Sequence, residues 1–453
     1  MRAAFLIFAS LLALPAPADE IADLVKALGD DDYDRREKAA ERLAEIGAPA
    51  VEALREAVKS EDAEVRAKAG RALALIEWRG CLPGAFLKKY PAAADEILIA
   101  DDEGLIRWVQ TLGVACPGAD AVPAAMRFLE MGTGRARKDA LLLVSRRASG
   151  LPSVRDTASL QRLVPLLNDP EPGLRVLALS VAGEWGRTTG KAPDEFAEAV
   201  KRRVVPAAVS ALEAVDGTVR AAAARALGRI ADGAAVRQLC EAAVDPVSAV
   251  RMAAIEALGS IGDPRGAAAA ARGLEDEGTD VVRAAIEACA QLKSKDSAAA
   301  IRAAMAVEGR APILRQAALE ALAAIDPPGI NDARGCLSDV NAALRAAAWR
   351  IILAADASEA VKAAVDEDAE VRLVAAFALA RAPRETAVPG LVALLYDDRS
   401  ATLRDARGND VARGEVRVAA MASLETLTGR KAQGEDDDAR VADWKKWAAE
   451  GGK

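Results

Sequence analysis

Residues 245–263 read DPVSAVRMAAIEALGSIGD, and residues 215–232 read VDGTVRAAAARALGRIAD. The same sentence, loosely respelled, returns along most of the 453-residue chain. Its fixed points are an Arg, a small residue three places on and an apolar residue seven places on. Taking Arg36, Arg66, Arg175, Arg220, Arg251, Arg283, Arg315, Arg345, Arg372 and Arg417 as anchors, the third residue is Ala in nine of ten, with Ile286 the exception. The seventh is always apolar, running from Leu43 and Leu73 to Leu379 and Leu424. Steps of three and four lay these side chains along one stripe of an α-helix. A small side chain followed by a larger one lets a neighbouring helix approach closely and then lock.

Helix ends are written into the same units. Asp245 with Pro246, and Asp169 with Pro170, predict an N-cap oxygen followed by a proline at the first helical position, where a missing N–H costs nothing. Gly262, Asp263 and Pro264 predict a stop and a new cap within three residues. From Arg220 to Arg372 the anchors are 31, 32, 32, 30 and 27 residues apart, which is room for a short helix, a tight turn and an Ala-rich helix. Such a hairpin cannot bury its apolar faces alone, so the units must stack. The expected fold is all-α, an α-solenoid of stacked helical hairpins.

The pattern D-P-x-x-x-V-R-x-x-A-x-x-A-L-G-x-I-G-D resembles a HEAT repeat of the phycobilin-lyase-like class, with clear copies over residues 21–78 and 163–430. The resemblance implies a HEAT-like superhelix. It also implies that the loop Asp and the helix Arg bond between adjacent repeats, giving structural roles to Asp245 with Arg251 and to Asp366 with Arg372. The expected organisation is a signal peptide at 1–18, HEAT repeats at 19–78, divergent helical repeats at 79–162, the main array at 163–430 and a capping segment at 431–453.

Three places break the pattern. Residues 79–162 keep one degenerate unit at Arg137, with Ala140 and Val144 at the expected spacings. They also bring Trp108 and a basic cluster that includes Arg137 and Lys138. That cluster is either a solvated face or a docking site for an acidic partner. Two steps stretch to 45 residues, with the extra length near 183–196 and 399–415. The second insertion carries Arg399, Arg404, Arg407 and Arg413 and reads as either a partner-binding loop or a disordered one. At the end of the chain, Trp444 and Trp447 lie three apart on a helix expected to begin near Asp436–Asp438, and read as either a cover for the last hairpin or an exposed aromatic anchor for a second protein.

Met1 and Arg2, the apolar run Ala3 to Leu14 and the small residues to Ala18 read as a cleavable secretory leader. Periplasmic or secreted localisation is therefore expected, with no membrane insertion after cleavage. Net charge is −8 for the whole chain, and removal of Arg2 with the leader makes it −9. That balance disfavours a nucleic-acid partner, which needs a concentration of Lys and Arg. Of five cysteines, Cys81 and Cys116 each precede a Pro-Gly turn, and the sequence leaves open whether they pair.

Chemistry is constrained most by what is missing. The chain contains no histidine, which removes Ser/His and Cys/His nucleophile pairs and every His-ligated metal site. It also departs from deoxyhypusine hydroxylase, an enzyme on this fold whose iron sites need His–Glu pairs. No two cysteines lie within five residues of each other, and GTGRARK at 132–138 lacks a phosphate-loop context. The expectation is a non-catalytic scaffold, without a cofactor, that binds partner proteins on its solenoid surface. An accessory factor for maturing another protein, as the phycobilin-lyase resemblance implies, is the alternative.

Overall fold

The computed structural model describes residues 18–148, 157–187, 195–293, 297–307, 309, 311–325 and 330–451. The expected leader, apart from Ala18, and the 188–194 part of the first insertion lie outside them. The described residues form two compact units that divide between Val204 and Val205, within the helix Glu195–Ala211. Both units are built from paired helices, as the repeat requires.

In the second unit the Arg anchors stand on the helices Gly217–Ile230, Ser248–Ile261, Thr279–Leu292, Pro312–Ile325, Ala342–Ala355, Ala369–Leu379 and Val416–Thr428. We call these the Arg helices. Each packs on the next, and shorter helices such as Val236–Ala242 and Ala267–Arg272 form the second layer. The sequence stripe explains the order of burial: Ala223, Leu227, Ala254, Leu258, Ala318, Leu322, Ala375 and Leu379 are all buried. Among the first three Arg helices, close approach is set by a glycine eight places after the anchor, at Gly228 and Gly259. A Cβ on Gly228 would stand 2.8 Å from Ala257 Cα, and one on Gly259 would stand 2.8 Å from Ala288 Cα.

Capping partly follows expectation. Gly262 ends its helix in the left-handed region at φ 72°, and Asp263 caps the following turn through the Arg265 N–H. In neighbouring repeats Ala231 and Lys293 hold the same position at φ 55° and 51°, where a side chain is strained. Asp245 is not the N-cap expected of it. The helix begins at Ser248, and the Asp245 carboxylate closes a turn ahead of it by accepting from the Val247 N–H at 2.8 Å. Asp169 does the same with Glu171, at 2.9 Å.

The first unit carries the series Tyr33–Ile46, Ala63–Cys81, Asp102–Ala115, Gly134–Ala148 and Pro172–Gly186. The described residues of the divergent stretch, 79–148 and 157–162, are therefore mainly helical. Its core is mainly aliphatic, with an aromatic contact at its start where Trp78 and Phe128 meet edge-on at 4.8 Å, both fully buried. All five cysteines are free thiols, so Cys81 and Cys116 do not pair. At the other end, Asp436 caps the helix Asp437–Ala449, and Trp444 and Trp447 are buried against the last repeat, ring to ring at 4.9 Å.

One departure from an all-helical chain stands out. The insertion expected as a loop is a β-hairpin, with β1 at Ser400–Arg404 paired antiparallel to β2 at Asp410–Glu415. Period-two alternation in SATLR was the available signal, with Ala401 and Leu403 turned inward and buried.

Candidate functional site

Most second-unit anchor arginines form a ladder that fixes one repeat on the next; Arg283 is the exception, pairing within its own helix with Asp280 and Glu287. Arg251 donates through Nε and a terminal nitrogen to the two carboxylate oxygens of Asp276, at 2.6 and 3.0 Å. Its other terminal nitrogen donates to the carbonyls of Asp245 and Pro246, at 2.9 and 3.2 Å. Arg220 treats Asp245 in the same way, at 2.7 and 2.9 Å, and Arg345 treats Asp366, at 3.0 and 2.8 Å. Arg372 reaches Asp397 at 2.6 Å. The pairing expected from the resemblance is thus shifted by one repeat. Asp245 meets Arg251, and Asp366 meets Arg372, only through their backbone carbonyls. Their carboxylates belong to the preceding arginine, because the long Arg side chain spans the gap between repeats and the short Asp turns back on its own loop. Arg251 holds the Asp276 carboxyl below the usual carboxylate range, against an opposing push from burial.

The ladder occupies the loop edge. The exposed face of the Arg helices in the second unit is where the hairpin lies. Leu403 and Ala406 are buried against it, and β1 rests on the helices Ala342–Ala355 and Ala369–Leu379. Three contacts reach back across the repeats. Gln316 donates to the Arg404 carbonyl at 2.9 Å, Glu320 accepts from the Ala406 N–H at 3.4 Å, and Arg407 pairs with Glu287 at 3.1 Å. Glu320 is itself held by Arg350 at 2.6 Å. Under the hairpin tip lies a cavity of about 420 Å³, floored by Ile286, Ala290, Ala317 and Ala321 and walled by Glu287, Glu320 and Arg407. Glu370 lies beneath β1 beside Leu403 and Arg404. Burial pushes its carboxyl above the usual range, and the nearby Asp368 adds to the push.

The four insertion arginines therefore have distinct places. Arg399 pairs with Asp397 at 3.0 Å, Arg404 with Asp410 at 3.2 Å and Arg407 with Glu287. Arg413 is exposed on β2 with no carboxylate partner among the described residues. The first-unit candidates do not join them. Trp108 is half-buried in a cluster with Phe86 and Tyr90, at ring distances of 6.0 and 5.9 Å. Arg137 is a rung of the ladder, bonded to Asp169 at 2.7 Å, and Lys138 lies 3.9 Å from Glu171.

Sequence reasoning missed Gln316, Glu320 and Glu287. Gln316 left a signal: among the second-unit anchors it is the one polar residue directly after the Arg, where Ala221, Met252, Ala284, Ala346, Leu373 and Val418 stand elsewhere. Gln316 is 3 % exposed, so its amide needs a partner, which the hairpin backbone supplies. Among the described residues there is no cluster of metal-ligating side chains, and no helix is long and apolar enough to cross a membrane.

A family profile for HEAT repeats matches residues 21–113 and 205–290. Similar solved structures include an engineered protein, 21 % identical over 90 % of this chain and 99 % of that one, with a TM-score of 0.34. The CpcE–CpcF complex of phycocyanin lyase from Nostoc sp. PCC7120 is 22 % identical over 57 % of this chain and 97 % of that one, TM-score 0.32. Importin beta is 15 % identical over 92 % of this chain and 56 % of that one, TM-score 0.45. No curated protein sequence matches the chain.

Proposed function

We propose that this HEAT-repeat chain is a non-catalytic scaffold, exported to the periplasm or beyond, that binds a partner protein on the Arg-helix face of its second unit. One observation carries the reading: that face already holds a polypeptide. The chain's own hairpin lies on it, engaged through a buried leucine, a side-chain amide on a backbone carbonyl, a carboxylate on a backbone N–H and an ion pair. Main-chain hydrogen bonds with a pocket for a side chain are a general way to hold an extended segment, and solenoid arrays offer extended surfaces for it. Beyond the hairpin tip, Arg225 and Glu256 stand exposed on the neighbouring Arg helices. The absence of histidine from the sequence and the satisfied state of the hairpin's carboxylates fit binding better than turnover.

A photo-crosslinking side chain at position 225 or 256, in cells that export the chain, is expected to yield protein adducts. The same group at Arg237, exposed in the short-helix layer, is expected to yield few. Equal crosslinking from both layers would refute the assignment of the face. Export is checked separately by the N-terminus of the mature chain, expected at Asp19.

A further inference from the structure

We propose that the outer edge of β2, centred on Arg413, accepts an extended segment of a partner protein as a third strand, with a carboxylate of that segment set against the Arg413 guanidinium. The inference rests on the scaffold reading above and specifies the contact.

The hairpin's hydrogen-bond pattern exposes this edge. Val416 donates to the Arg399 carbonyl and Asp405 to the Asn409 carbonyl, each at 3.0 Å. With Ala401 opposite Gly414 and Leu403 opposite Ala412, the inward-facing bonds fall on those residues. Thr402 and Arg413 are then a non-hydrogen-bonded pair, whose N–H and C=O groups point away from the hairpin. On the β1 side the outward carbonyl of Arg404 is taken by Gln316, and the strand lies against helices. On the β2 side Val411 is 53 % exposed and Arg413 is exposed as well. An open row of backbone donors and acceptors is a template for strand addition. Here the template is held rigid at three points on the Arg helices.

Charge selects the occupant. Each carboxylate of the hairpin is engaged: Asp405 with the turn amides of Arg407 and Asn409, Asp410 with Arg404 and Glu415 with Arg417. The other hairpin arginines are paired, which leaves Arg413 as the surplus charge on the outer face. Opposite charges directly across a strand pair attract and like charges repel. A second copy of this chain fits poorly. Pairing two β2 edges with Arg413 against Glu415 sets Ala412 against Val416, which is fully buried at the start of the helix Val416–Thr428.

The test uses the full chain, deuterated and 15N-labelled, with three five-residue peptide probes. They are acetyl-Thr-Val-Glu-Val-Thr-amide, its Lys-for-Glu counterpart, and the Glu peptide N-methylated at alternate backbone nitrogens. The Glu peptide is expected to shift the Arg413 and Val411 amides and to bind about tenfold more tightly than the Lys peptide. Arg413→Glu, an exposed substitution, is expected to reverse that preference, and N-methylation to abolish binding. Equal binding of both charge forms, no shift on β2, or concentration-dependent dimerisation through β2 would overturn the proposal. If β2 stays silent while crosslinks still concentrate at positions 225 and 256, the strand edge is wrong and the scaffold face stands. If the peptides bind β2 and those crosslinks are absent, the strand edge is right and the face assignment falls.

Discussion

Removing the Arg345 guanidinium should cost far more than removing a surface charge, and about half of that cost should vanish if its partner has already gone. The Arg345 side chain is 6 % exposed and its partner Asp366 is 14 % exposed. Arg345 makes two charge-assisted bonds to the carboxylate and two to the carbonyls of Asp339 and Val340, at 2.8 and 3.4 Å. Arg345→Met strips all four and leaves Asp366 with the Asp368 N–H, at 2.9 Å, as its remaining partner. Loss of one member of a buried pair costs about 3–5 kcal/mol. Asp366→Asn keeps a neutral acceptor and leaves Arg345 its carbonyls, so about 1–3 kcal/mol is expected. The double variant should lie near Arg345→Met alone, giving a coupling energy of about 2 kcal/mol. The exposed pair Arg404–Asp410, with side chains 63 % and 52 % exposed, sets the control at under about 1 kcal/mol. Because repeat arrays open locally, the assay is native-state hydrogen exchange of the helices Ala342–Ala355 and Ala369–Leu379 and not a global melt. Additive single-variant costs, or an Arg345→Met cost no larger than that of Arg404→Met, would refute the ladder as the tie between repeats.

Gly259→Ala is expected to destabilise its neighbourhood by about 1–3 kcal/mol, because the new methyl would meet Ala288 on the adjacent helix; thermal and urea unfolding would show no loss if the helices can part. Leu403→Ala should cost about 2–4 kcal/mol and speed amide exchange throughout β1 and β2, whereas Val411→Ala on the outer face should stay within about 0.5 kcal/mol; equal effects would place the hairpin off the helices. Glu370→Gln should raise stability at neutral pH. A carboxyl whose folded pKa is raised costs stability when ionised, and that penalty disappears as pH falls through the folded value, so the gain should vanish near about pH 4. The ladder aspartate Asp276 runs the opposite way. Its pKa is depressed, so its contribution is full above about pH 4 and is lost on further acidification, which Asp276→Asn should abolish in an acid titration of stability.

How much of this was written in the sequence depended on the range of the interaction. The Arg, Ala and Leu stripe and the Gly262 stop are local, and they led directly to the helices that form. The Trp444 and Trp447 cap was legible as one of two readings, and burial of both rings against the last repeat decides for it. Asp245 was misassigned for the same reason of range: its nearest Arg in sequence is Arg251, but the Arg that can span the inter-repeat gap with a fork is Arg220, 25 residues earlier. The hairpin was the hardest. SATLR and DVARGE are short, charged and rich in small residues, and their stability comes from Gln316, Glu320 and Glu287, between 86 and 120 residues away.

That reach has a consequence for how the chain can change over time. A repeat that carries both its own arginine fork and the aspartate that receives its neighbour's is a plug and a socket in one, and copying it in place leaves every joint intact. The hairpin forbids this over one interval. It springs from the loop after Leu394 and touches down on the helices Pro312–Ile325 and Thr279–Leu292, so duplicating or losing a module between those points would leave its tip a full repeat off target. It works as a ruler: the array is free to lengthen before Thr279, while the number of modules from there to the hairpin is fixed.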